Sequence, residues 1–125
     1  MEKYYSYLTQ REKFKQKKIK EFKQDKKKQL HKCINDLVSQ FASITRVIIF
    51  GSFLSDNFNF NSDIDIYIEN IPVEEYYNIR RKLEECIKLD VDLYTQTDNN
   101  NFIEKIKNRG EVLYERKNKS IDSRY

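Results

Sequence analysis

Two aspartates one residue apart, Asp63 and Asp65, open the alternating run DIDIYIE (63–69), and a Gly51-Ser52 pair precedes them by ten residues. On an extended strand the side chains at i and i+2 leave the same face, so these carboxylates stand roughly 6–7 Å apart. At that separation they repel unless something cationic sits between them. Hard oxygen donors of this kind suit Mg²⁺, which binds through one or two carboxylates together with substrate phosphates. A third carboxylate, Asp92 in DVDLYT (90–95), is placed to complete a two-metal site, the arrangement that clamps both oxygens of an in-line phosphoryl displacement. Asp90 shares the face of Asp92 and competes for that role.

Gly51 and Ser52 suit the other half of such a reaction. They follow an apolar, β-branched run, RVIIF (46–50), and the residues after them can open a helical turn. Backbone N–H groups at a strand-to-helix junction, beside a glycine that lets phosphate come close, form an anion cradle. The Ser52 hydroxyl adds a donor. A nucleoside triphosphate at the cradle is therefore compatible with a metal on the carboxylates.

The elements that must position these groups follow from periodicity. Leu30, Cys33, Ile34, Leu37, Val38 and Phe41 mark the apolar stripe of an amphipathic helix running to about Ser43. RVIIF reads as a buried strand. In 63–69 the isoleucines 64, 66 and 68 take one face and Asp63, Asp65 and Tyr67 the other. Pro72 opens a helix over 73–89, and 90–95 is a second alternating strand. The loop TDNNN offers caps to a short helix, FIEKIKN, which Gly110 ends before a last strand, EVLYE. The order α-β-β-α-β-α-β describes an α/β fold, a small mixed sheet covered by helices. Residues 1–29 form a basic helical extension, 30–116 the domain itself and 117–125 a loose tail.

Composition narrows the class. At 125 residues the chain is one domain's worth, and 14% aromatic content supports a real core despite 35% charged residues. No apolar run is long enough to span a membrane and the N-terminus has no signal-like apolar segment. Cys33 and Cys86 lack metal-like spacing and read as small buried hydrophobes in a reduced, cytoplasmic protein. Charge is uneven: residues 1–32 carry twelve Lys/Arg against four Asp/Glu, a balance of +8, and the rest carry twelve against sixteen, −4. Such a basic arm suits an acidic partner or the phosphates of nucleic acid.

The string Gly51-Ser52, ten residues, then Asp63-Ile64-Asp65 resembles the signature of the DNA polymerase β-type nucleotidyltransferase superfamily. Residues 30–116 are similar to its small members, the minimal nucleotidyltransferases (MNT): a helix, an apolar run ending in FGS, an SDIDI strand, a VDL strand, then a short helix and a final strand. The resemblance implies a polymerase β-like core in which Gly51 and Ser52 hold the triphosphate of ATP. It implies that Asp63 and Asp65 bind two Mg²⁺ ions and that Asp92 is the third carboxylate, activating the attacking hydroxyl; the V-D-L match favours Asp92 over Asp90. Many minimal members carry Arg-Gly shortly after the Gly-Ser, where this chain has Leu54-Ser55-Asp56-Asn57. No basic residue occurs between Arg46 and Arg80. Phosphate charge must then be met by metal, by backbone N–H groups or by a lysine of the arm.

Nearly all of the chain is catalytic core, so the acceptor is expected to come from a partner. Minimal members are often antitoxins that place AMP on a tyrosine of a helical HEPN-type ribonuclease. The resemblance thus implies a protein adenylyltransferase acting on a cognate toxin. The alternative is a weakly active or inactive module of the same fold that neutralises its partner by binding alone.

Overall fold

The structure, a computed structural model, describes residues 2–116. Helix α1 (Glu2–Gln40) runs unbroken from the basic arm into the amphipathic segment. Strands β1 (Arg46–Phe50), β2 (Ile64–Glu69), β3 (Val91–Thr95) and β4 (Glu111–Glu115) alternate with helices α2 (Tyr76–Ile87) and α3 (Asn100–Arg109) in the expected order. They make one mixed sheet, β3-β2-β1-β4. β1 is antiparallel to β2 and β4, and β2 is parallel to β3 across the α2 crossover. The proposed tail, 117–125, lies outside the described residues.

Alternation along the strands sends residues to two different cores. Ile64, Ile66, Ile68, Val47, Ile49, Val91 and Leu93 pack against Leu30, Cys33, Ile34 and Leu37 of α1 and Ile79, Leu83 and Ile87 of α2. The opposite face carries a smaller cluster, Ile48 and Tyr67 under Ile103 and Ile106 of α3. The acidic residues of β2 and β3 belong to this second face.

Element ends follow local chemistry. α1 stops at Gln40, earlier than periodicity suggests, and the chain turns so that Ile44 enters the core fully buried. Asn99 caps α3, its side chain accepting from Asn101 N and Phe102 N. Gly110 ends that helix in extended rather than left-handed backbone; it is needed because a Cβ would collide with Ile48 and sit 2.7 Å from the Ile106 carbonyl. Lys88 closes α2 in the left-handed region, φ 61°, with its N–H on Glu84 O. Lys26 of α1 reaches across to donate to Ile87 O at 2.7 Å, placing a cation on the last carbonyls of α2.

One expectation is overturned. Cys33 and Cys86 are not free hydrophobes: they form a disulfide across the α1–α2 contact, Cα–Cα 6.0 Å, and Cys86 is exposed. Each cysteine sits in its own helical pattern 53 residues from the other. Their meeting comes from helix packing, which local spacing does not encode. Among the described residues no helix is long and apolar enough to cross a membrane.

Candidate active site

The sheet register assembles a row of three side chains. Phe50 on β1 pairs with Asp65 on β2, and Asp65 pairs with Asp92 on parallel β3. Adjacent strands lie about 4.8 Å apart, so the two carboxylates meet side by side at the end of the α3-facing sheet surface. Burial pushes the Asp65 carboxyl up to about 6, helped by the charge and hydrogen bond of Asp92 and by the charge of Asp63. A carboxylate pair whose burial and mutual repulsion disfavour ionisation is a pair that a cation would satisfy.

Gly51 closes the row from above. The chain leaves β1 into a short 3₁₀ turn, Gly51–Leu54, with Gly51 at φ +74°. A Cβ there would fall directly on Asp65 Oδ2, so only glycine fits in both conformation and space. The turn and the aspartate face, ten residues apart in sequence, are therefore in contact in the fold. Ser52 lies inside the turn, whose cap position is Phe50 without a side-chain cap bond, so it is not a helix cap. Its carbonyl takes both the Ser55 N–H and the Ser55 hydroxyl, which hold the turn closed.

The other candidates divide. Asp63 precedes β2 at the strand mouth and is exposed; its charge acts on Asp65, but among the described residues no three acidic, His or Cys side chains converge as a ready metal cage. A pair of carboxylates still fits Mg²⁺, which takes its remaining ligands from phosphate and water rather than from an all-protein cage. Asp90 gives its backbone carbonyl to Ile64 N at 2.9 Å, whereas Asp92 carries the register contact with Asp65.

Two features add to the sequence reading, an aromatic cluster that it missed and the identity of an arm lysine that it left open. Tyr94, Phe50 and Phe102 form a ring cluster on the same face, centroids 5.2–6.0 Å apart, with Phe102 partly exposed. Tyr94 stands two residues along β3 from Asp92 and so shares its face; burial raises its hydroxyl, and Asp65 and Asp92 raise it further. The second feature is Lys23 of α1. Its ammonium donates to Ser55 O at 3.1 Å and lies over the Phe53 and Phe58 rings, at 5.6 and 5.8 Å. A cation from the arm thus stands against the turn that follows Gly51-Ser52, a stretch with no basic residue of its own. Lys23 lies seven residues before Leu30 and Lys26 seven before Cys33, so helical phase carries a signal for both.

A family model described as polymerase beta, nucleotidyltransferase matches residues 31–119. Comparison with curated proteins finds no match. Among solved structures, a toxin–antitoxin with AMP-PNP is 21% identical, TM-score 0.60, over 70% of this chain and 74% of that one. A tri-AMPylated HEPN toxin in complex with MNT antitoxin from Shewanella oneidensis gives 19% identity and TM-score 0.57, over 81% and 77%. A toxin–antitoxin described as MntA-HepT gives 20% and 0.55, over 70% and 71%. At these identities the likeness establishes the fold.

Proposed function

The chain belongs to the polymerase β nucleotidyltransferase family, and on that premise we propose that it moves AMP from ATP to a hydroxyl of a partner protein, as antitoxin to a HEPN-type toxin. The observation that carries this reading is the contact between the Gly51 turn and the Asp65–Asp92 pair, a phosphate cradle set against two hard oxygen donors. Relatives of the same fold supply the direction: one binds AMP-PNP, and another is an MNT antitoxin with an AMPylated HEPN toxin.

In this reading the backbone N–H groups of the 51–54 turn and the Ser52 hydroxyl hold the triphosphate. Asp65 and Asp92, with Asp63 at the strand mouth, would hold Mg²⁺. Bound there, the metal lowers the charge on the transferring phosphoryl group and the pKa of an attacking hydroxyl. Asp92, more exposed than Asp65, accepts the hydroxyl proton as the acceptor oxygen bonds to the α-phosphorus. The bond from that phosphorus to the bridging oxygen breaks, and pyrophosphate leaves with its electron pair. A tyrosine is the fitting acceptor: the Tyr94–Phe50–Phe102 cluster offers its ring an aromatic surface beside the carboxylates. Lys23, which donates to Ser55 O at 3.1 Å, would bring positive charge to the arm side of the turn.

Incubation with labelled ATP, Mg²⁺ and the cognate HEPN-type protein tests the proposal. Transfer that is lost in the Asp63→Asn/Asp65→Asn double variant supports it; no transfer, or equal transfer by the variant, refutes it. The lack of any basic residue between Arg46 and Arg80, around the cradle, favours one second reading, neutralisation by occlusion alone. Protection of cells by the double variant would select that reading.

A further inference from the structure

A long exposed surface is the outer face of α1 over residues 9–30, N-terminal to the segment that the family model matches. Lys13, Lys17, Lys20, Gln24, Lys27 and Lys28 fall within an arc of about 100° at 3.6 residues per turn. The lysines of this stripe are exposed except Lys27, which is half-buried and ion-paired with Glu111. Between residues 12 and 28 no carboxylate enters the arc: Glu12 and Asp25 point away and Glu21 lies on its margin. From Lys13 to Lys28 the stripe is about 22 Å long, the axial span of about six phosphates on one strand of a duplex. Lysines at i, i+4 and i+7 repel one another on an isolated helix, a cost that a polyanion reverses.

The stripe also leads somewhere. Lys20, Gln24 and Lys27 line a groove of about 620 Å³ between α1 and the loop of Phe53 to Phe58, the segment that follows Gly51-Ser52. Two carboxylates face it, Asp56 and Glu111, the latter already engaged by Lys27.

We propose that this face of α1 binds nucleic acid through its phosphodiester backbone, without sequence preference. An acidic protein surface is the competing occupant, and the composition argues against it. Stable protein interfaces are centred on aromatic or arginine anchors in pockets and are depleted in lysine. The stripe has neither aromatic residues nor arginine, and evenly spaced lysines are what a uniform phosphate chain requires.

The test is fluorescence anisotropy of the full chain with two probes, a 20-nucleotide single-stranded RNA and a DNA duplex of equal length, from 50 to 200 mM salt. Two charge-matched triple variants accompany the wild type. Lys13→Gln/Lys17→Gln/Lys20→Gln empties the stripe, and Lys15→Gln/Lys18→Gln/Lys32→Gln removes equal charge outside it. Circular dichroism checks that both keep wild-type helicity. The wild type should bind at least one probe, the stronger one identifying duplex or single strand. The slope of log K against log salt should fall by about 2–3 in the stripe variant and by less than about 1 in the other. Equal losses in both variants would reduce the effect to net charge and overturn the proposal. So would absence of binding to either probe at 50 mM salt, or tighter binding of poly-glutamate than of the oligonucleotides.

Discussion

Asp65 is held in the fold at a cost that its chemistry explains. Its carboxyl is raised to about 6 from an ordinary 3.8, so the ionised form is disfavoured in the folded chain. That cost is present at neutral pH and disappears as pH falls through about 6 and below the ordinary value. Asp65→Asn should therefore melt higher than wild type at pH 7.5, with the gap closing toward pH 4. Mg²⁺ should raise the melting temperature of the wild type and not of the variant. A variant less stable than wild type at pH 7.5 would contradict the electrostatic account. The choice between the aspartates of β3 is equally testable. Asp92→Asn should cost about 10²–10⁴ in transfer rate, the usual worth of a positioned base, while Asp90→Asn should stay within a few-fold. Gly51→Ala should destabilise by about 1–3 kcal/mol in chemical denaturation, since the new Cβ meets both an unfavourable φ and Asp65. At this scale the Gly51-Ser52 spacing to Asp65 was legible in sequence, and the fold brings Gly51 against that side chain; Asp63, read as sharing a strand face with Asp65, instead precedes β2 and is exposed. Asp92 was expected to join the site, but its direct pairing with Asp65 was not legible, because it needs the parallel register of two strands joined through α2.

Elements were readable wherever one face is buried. Ile64, Ile66 and Ile68 mark β2 by strict alternation, and Leu30, Ile34 and Leu37 mark the packed part of α1 by helical period. What period cannot give is the partner of each face, and both surprises at this scale are inter-element contacts. Lys23 and Lys26 read as members of a basic arm suited to an acidic partner or to nucleic acid, yet they bind the carbonyls of Ser55 and Ile87. Cys33 and Cys86 read as separate helix residues, yet they join α1 to α2. A bridge closing a segment of that length should contribute about 2–4 kcal/mol, chiefly by restricting the unfolded chain. Cys86→Ser and treatment with reductant should lower the unfolding free energy by this same amount. A denaturation curve unmoved by reductant would show that the bridge is not formed in solution.

At the scale of the molecule, a +8 segment continues without a break into a −4 body, and one long helix joins them. Its second half packs on the sheet and its first half projects a lysine face. The central claim remains the transfer reaction at the Asp65–Asp92 end of the sheet. Intact-mass spectrometry of a co-purified HEPN-type partner, after incubation with ATP and Mg²⁺, tests it most directly. The account predicts that the partner gains the mass of one or more AMP groups, that a tyrosine-to-phenylalanine change at the acceptor removes the gain, and that Asp65→Asn slows it at least about a hundredfold. A partner whose mass is unchanged by wild-type protein, or gains equally with Asp65→Asn, would contradict it.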